Sequence, residues 1–195
     1  MNWPVRSVAS CFRHATLPCD DQDMMWLAAE LIESKRLRLE PLTVRHAAPM
    51  FGVLADPSLY HFTGGEPPSA VTLAQRYRAQ VVGHSADGCT GWLNWIVTLA
   101  DPATVTAAPI GFVQATLTEP SHMTADLAWV IGPAHQGRGH ATEAAVSMAA
   151  WLRDQGVARF SAHIHPEHAA SAAVARTLGL HPTAAGVDGE VRWES

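Results

Sequence analysis

The sequence predicts one α/β domain in which an antiparallel run of strands feeds a strand–loop–helix unit. Three observations carry this. The chain has 195 residues, 48% of them hydrophobic and 16% charged, enough for one full core. Between residues 93 and 131, apolar runs rich in β-branched and aromatic residues follow one another across turn-forming breaks. Leu127 to Trp151 then reads LAWVIGPAHQGRGHATEAAVSMAAW: a short strand run, a glycine-bearing loop, and a helix face at Ala141, Ala145, Met148 and Leu152.

Taken in order, residues 1–33 form an extension. Up to Asp23 it lacks periodicity. Met24 to Ile32 has the pattern of a short amphipathic helix, with Asp20, Asp21 or Asp23 as its cap. Trp26 and Leu27 give that helix a docking face, for its own domain or for a second copy of the chain. Residues 34–195 form the domain. It opens with a strand at Arg36–Leu42, where Leu37, Leu39 and Pro41 alternate with Arg38 and Glu40. Thr43 caps a helix with Val44, Ala47, Phe51 and Leu54 on its apolar face; Pro49 kinks it or moves its start to about Ala48. Asp56-Pro57 ends it.

Gly64 to Pro68 is a loop. Ser69 caps a second helix with Ala70, Leu73, Tyr77 and Val81 on one face, ended at Gly83. Leu93–Leu99, Ile110–Leu117 and Thr124–Ile131 are strands, with a turn-rich break at Asp101–Ala107 and a hairpin region at Glu119–His122. The long helix ends at Gly156. Phe160–His165 is a strand. Ala169–Leu178 is a helix with Ala170, Val174 and Leu178 inward, capped by Gly179. His181–Val187 and Glu190–Trp193 close the domain as a hairpin across Asp188-Gly189, a favoured two-residue turn.

Composition excludes some functions. Net charge is −5 and pI about 6.1, which argues against a nucleic-acid partner. No apolar run reaches membrane-spanning length, so the expectation is a cytoplasmic protein without a membrane partner. Cys11, Cys19 and Cys89 make no disulfide framework and suit a reducing compartment. Val8-Ala9-Ser10-Cys11 imitates a lipoprotein cleavage box, but Pro4 and Arg6 interrupt its apolar segment.

The central stretch carries the chemistry. The first N–H groups of a helix lack intrahelical partners and sit at the positive end of its dipole, and glycines let an anion approach them closely. The P-loop lysine is absent, and GRGHAT does not meet the dinucleotide fingerprint. Gln136-x-x-Gly139-x-Ala141 resembles the Q/R-x-x-G-x-G/A acetyl-CoA pyrophosphate loop of the GNAT N-acetyltransferase superfamily. GPAHQGRGHATEA, KRLRLEPLT and ADPSLYHFTGGEPPS resemble its RimJ/RimL-type branch. The resemblance runs from Lys35 to the C-terminus, about four-fifths of the chain.

The resemblance implies the GNAT fold, with a mixed central sheet, an antiparallel N-terminal meander, helices on both faces, and strands splayed at the acetyl-CoA site. It implies acetyl-CoA as co-substrate. Its pyrophosphate would lie on Gln136, Gly137, Arg138 and Gly139 and on the helix start at His140, Ala141 and Thr142. Its pantetheine would pair with the strand edge at Trp129, Val130 and Ile131. The family's N-x-x-S falls on His168-x-x-Ser171, followed by Leu178-Gly179-Leu180. His168 keeps a nitrogen for the pantetheine arm but changes reach and can titrate. The tyrosine with which many members reprotonate the thiolate falls on Ala175, so that role does not carry over. Ser171 is the remaining thiolate partner, against its plainer reading as a helix N-cap. Glu143 adds negative charge one turn inside the pyrophosphate helix and reads as structural.

An ammonium cannot attack a thioester, so the site needs a proton acceptor and donors for the oxyanion. The base candidates are Asp126, His163 and Glu119. Taken alone, His163, His165 and His168 read as metal chemistry, since H-x-H-x-E-H is one methylene from the H-x-H-x-D-H of metallo-β-lactamase-type hydrolases. Too little chain follows His168 to complete such an enzyme, and it holds one further histidine, His181. The expectation is therefore no metal. The sequence leaves the amine acceptor open between a protein N-terminus and a small molecule. An acyl-CoA-binding protein without turnover is the second reading, on the strength of His168 and Ala175.

Overall fold

The computed structural model describes residues 26–100, 107–118 and 123–195. The extension before Trp26, most of the Asp101–Ala107 break, the Glu119–His122 hairpin and the base candidate Glu119 lie outside them. Strands β1 (Ile32–Glu33), β2 (Leu37–Pro41), β3 (Gly91–Leu99), β4 (Pro109–Thr118) and β5 (Thr124–Ile131) pair antiparallel in sequence order. β6 (Arg159–Ile164) joins β5 in parallel, because helix α3 (His140–Asp154) carries the chain back across the sheet between them. β8 (Glu190–Glu194) inserts between β6 and β7 (His181–Val187), giving the order β1-β2-β3-β4-β5-β6-β8-β7. The β7–β8 turn has φ of 54° at Asp188 and 84° at Gly189, the two positive values that a tight hairpin requires.

Helices α1 (Ala47–Leu54) and α2 (Ala70–Gln80) cover one face of the sheet, and α3 and α4 (Ala169–Thr177) cover the other. Strand alternation divides the core accordingly. Ile96 and Phe112 pack with Met50, Leu54, Leu73 and Tyr77, while their neighbours Trp95, Val97 and Val113 pack with Met148, Leu152 and Val174.

Three local expectations need correction. Residues 26–31 are not helical; they lead without regular secondary structure into β1, which pairs with β2 through Ile32↔Leu39. Backbone pairing and two indole anchors outweigh amphipathic periodicity there. Trp26 donates to the Gly88 carbonyl at 2.9 Å, and the Trp95 indole donates to the Glu30 carbonyl at 2.7 Å. Trp26 and Leu27 thus dock on their own domain. The first helix begins as a short 3-10 turn at Val44–His46 and becomes α-helical at Ala47, so Pro49 falls in its first turn, where no N–H is needed. That shift buries Met50 and leaves Phe51 exposed. Cys89 is disulfide-bonded, so cysteine usage carries no argument about compartment.

Gly111 is required by space. A Cβ there would overlap the Val130 carbonyl oxygen and lie 2.9 Å from the Ile131 Cα, because the end of β5 folds closely over β4. Gly111→Ala is expected to cost about 2–3 kcal/mol, as for an overpacked core. Urea unfolding of parent and variant measures it, and an unchanged midpoint would contradict the close approach.

Candidate active site

The parallel pairing of β5 and β6 lasts three residues, ending at Asp126↔Ser161. Beyond it the strands diverge, and β5 runs on from Leu127 to Ile131 with no strand on that side among the described residues. Gly132 donates to Ile110 on the β4 side, whereas the Ile131 carbonyl accepts from the Gln136 amide at 2.7 Å. Strand alternation therefore turns the N–H groups of Trp129 and Ile131 into the gap, and those of Ala128 and Val130 toward β4. A cavity of about 560 Å³ fills the fork.

One wall of that cavity is the loop into α3. Gly137 and Gly139 have φ of 72° and 76°, left-handed conformations that glycine adopts without strain. Gly139 is the helix N-cap and offers no side-chain oxygen, so the first-turn N–H groups of His140, Ala141 and Thr142 keep their orphan donors. The His140 ring is buried against the His135 carbonyl, 3.1 Å away, and braces the loop from beneath. Gln136 uses its side chain to tie the loop to the end of β5. Arg138 is exposed and does not line the cavity.

The opposite wall is the start of α4. His168 is its N-cap, with Nδ1 3.4 Å from the Ser171 N–H. Ser171 is therefore not the cap; it sits one turn in and lines the cavity. Burial, and secondly the nearby His165, hold His168 below its ordinary pKa of 6.5, so the ring caps in its neutral, accepting form. Phe62, from the chain between α1 and α2, stacks on His168 with ring centroids 4.4 Å apart and roofs this end. Ala175 is fully buried in the core, so a tyrosine has no place there.

At the crotch of the fork, Asp126 and His163 meet. Oδ2 of Asp126 lies 3.3 Å from His163 Nδ1, and its Oδ1 accepts from the Ser161 hydroxyl at 2.9 Å. The His163 side chain is 13% exposed and that of Asp126 38%, so the imidazole is the more enclosed of the pair. With Nδ1–H directed at the carboxylate, the Nε2 lone pair is available to take a proton. Both groups share the sheet face of Val130, together with the cavity-lining Gln114 and Thr116. The imidazoles do not gather around a common centre. His165 accepts from the Glu167 N–H at 3.2 Å and His168 from Ser171, and no metal-holding group occurs among the described residues.

A family model described as an acetyltransferase (GNAT) domain matches residues 36–181. The chain belongs to the GNAT acetyltransferase family. Solved structures agree on the fold. A GNAT-family acetyltransferase from Bacillus anthracis is 15% identical, with a TM-score of 0.68 over 85% of this chain and 98% of its own. The RimL ribosomal L7/L12 α-N-protein acetyltransferase in complex with coenzyme A is also 15% identical, at 0.68, over 85% of this chain and 97% of its own. A microcin C7 self-immunity acetyltransferase in complex with acetyl-CoA and AMP is 14% identical, at 0.66, over 83% and 93%. Among curated proteins no sequence match is found. As a GNAT domain the chain has its splayed strands, its α3 loop and its α4 start around one cavity, and no helix among the described residues is long and apolar enough to cross a membrane.

Some contributors to this GNAT site carried no sequence signal. Phe62 lies inside the ADPSLYHFTGGEPPS stretch, but nothing there marked it for the site, which it reaches by stacking on His168 from the chain between α1 and α2. Ser161 was legible in principle, two residues before His163 and therefore on the same face of β6. Arg36 lies far from the α3 loop in sequence, yet reaches it through β2.

Proposed function

We propose that this GNAT protein transfers the acetyl group of acetyl-CoA to a primary amine by direct attack within a ternary complex. The observation that carries the reading is the fork itself, where an unpaired strand edge runs between an uncapped helix start and an Asp–His pair. The residues fit the co-substrate. Gly137, Gly139 and the first-turn N–H groups suit a pyrophosphate, and the free edge of β5 suits an amide-bearing arm laid alongside as a further strand. When bound, acetyl-CoA supplies an activated acyl group on a good leaving thiolate.

The chain's own groups do the rest. The Trp129 and Ile131 N–H groups are preorganised donors for oxyanion charge. His163 Nε2 takes the proton that the acceptor must lose to attack as a neutral amine, and Asp126 holds that ring in the required tautomer. Ser171 is the hydroxyl nearest the α4 start that can return a proton to sulfur. The acceptor enters from the α1/α2 side, where Gln114, Thr116 and Asp126 offer polar contacts to an amine.

The test is thiol release from acetyl-CoA across a panel holding peptide N-termini, free amino acids and amine antibiotics. The RimL neighbour acts on a ribosomal-protein α-amine, which makes a peptide N-terminus one natural arm. Release with at least one amine, scaling with enzyme, is the expected result. Acetyl-CoA binding with no release from any amine would favour the second reading, binding without turnover, for which the buried Ala175 is the specific observation.

A further inference from the structure

We infer that Arg36 is a positioning residue for the co-substrate, acting as the built-in counter-ion that lets a helix with a glutamate in its first turn accept a pyrophosphate. The inference rests on the acetyl-CoA reading above. Glu143 stands in the first turn of α3, where a carboxylate suits the helix dipole but opposes a second anion at the same end. Its charge is fully engaged. Oε1 accepts from the Ser34 hydroxyl and the Arg36 backbone N–H, both at 2.8 Å, and Oε2 accepts from Arg36 Nε at 2.6 Å. Burial opposes ionisation, yet these hydrogen bonds outweigh it and hold Glu143 below its ordinary pKa of 4.5. Glu143 is therefore a permanent carboxylate beside the phosphate loop.

The same guanidinium continues into the loop. Arg36 Nη1 donates to the Arg138 carbonyl at 3.1 Å, and Nη2 lies 3.5 Å from where a Cβ on Gly139 would stand. One planar fork thus spans Glu143 and the loop, neutralising the carboxylate and engaging a loop carbonyl, itself a repulsive dipole. β2 supplies the anchor, since Arg36 directly precedes it.

The experiment is a double-mutant cycle read by isothermal titration of acetyl-CoA into parent, Arg36→Met, Glu143→Gln and the double variant, with melting temperatures recorded alongside. Arg36→Met is expected to weaken binding about tenfold, the order of one carboxylate left unshielded near a multiply charged ligand. Glu143→Gln should bind within about threefold of parent, and the double variant should recover most of the loss. Arg36→Lys, which keeps the charge without the fork, should lie between parent and Arg36→Met. A double variant as weak as Arg36→Met would show a purely structural clamp and overturn the inference, as would an Arg36→Met protein that binds like the parent. A parent that does not bind acetyl-CoA would instead overturn the reading on which it rests.

Discussion

Gly139→Asp is expected to lower acetyl-CoA affinity by at least about a hundredfold while leaving the protein folded. Two effects combine. Gly139 holds φ at 76°, and aspartate is among the side chains that tolerate this region, so the backbone cost is about 1 kcal/mol and the domain survives it. The new carboxylate would stand at the N-cap, where it occupies the approach to the orphan donors and repels the diphosphate. Gly139→Asn serves as the control, since it has equal bulk and equal strain without the charge, and about a tenfold loss is expected. Isothermal titration with acetyl-CoA reads both. Unchanged affinity in Gly139→Asp would remove the acetyl-CoA reading.

The second large effect belongs to the Asp126–His163 pair. His163→Gln should lower kcat/KM by roughly 10²–10⁴, the usual worth of a positioned general base. Asp126→Asn should lower it less, because the imidazole stays in place while its tautomer is no longer fixed. In the double variant the losses should not add, since the two groups work as one unit. If both single variants turn over the best acceptor within about threefold of the parent, the proton leaves through bulk water and the pair is structural.

The fold was legible wherever one local signal dominated. β5 spans Thr124–Ile131 as its apolar run and the Gly132-Pro133 break suggest, and the Asp188-Gly189 turn follows from what two positive φ values demand. Reading failed where a local pattern competed with tertiary pairing. Residues 26–31 have helical periodicity but are pinned outside any helix by indole hydrogen bonds to Gly88 and from Trp95. One residue of helical phase, set by where Pro49 falls, exchanged Phe51 for Met50 in the core.

The site divides the same way. The α3 loop is continuous in sequence and could be seen whole, although the Gln136 side chain turns back to the end of β5. Asp126 and His163 could be named only as rival bases. Their contact depends on the register Asp126↔Ser161, which two strands joined across a whole helix do not reveal in their composition. Arg36 and Glu143 are hidden for the same reason.

The insertion of β8 between β6 and β7 bears on how the chain is made. A ribosome delivers β6 and β7 before β8, so the nascent chain exposes the outer edge of β6 to any passing strand. Folding of this half therefore waits on the strand from Glu190 to Glu194 and its Trp193 side chain, buried against the core. Phe160 exchanges hydrogen bonds with Ser195 just beyond it, which extends the seam. Truncation within β8, or a stall while it is still in the exit tunnel, would leave the sheet open on the side that carries His163.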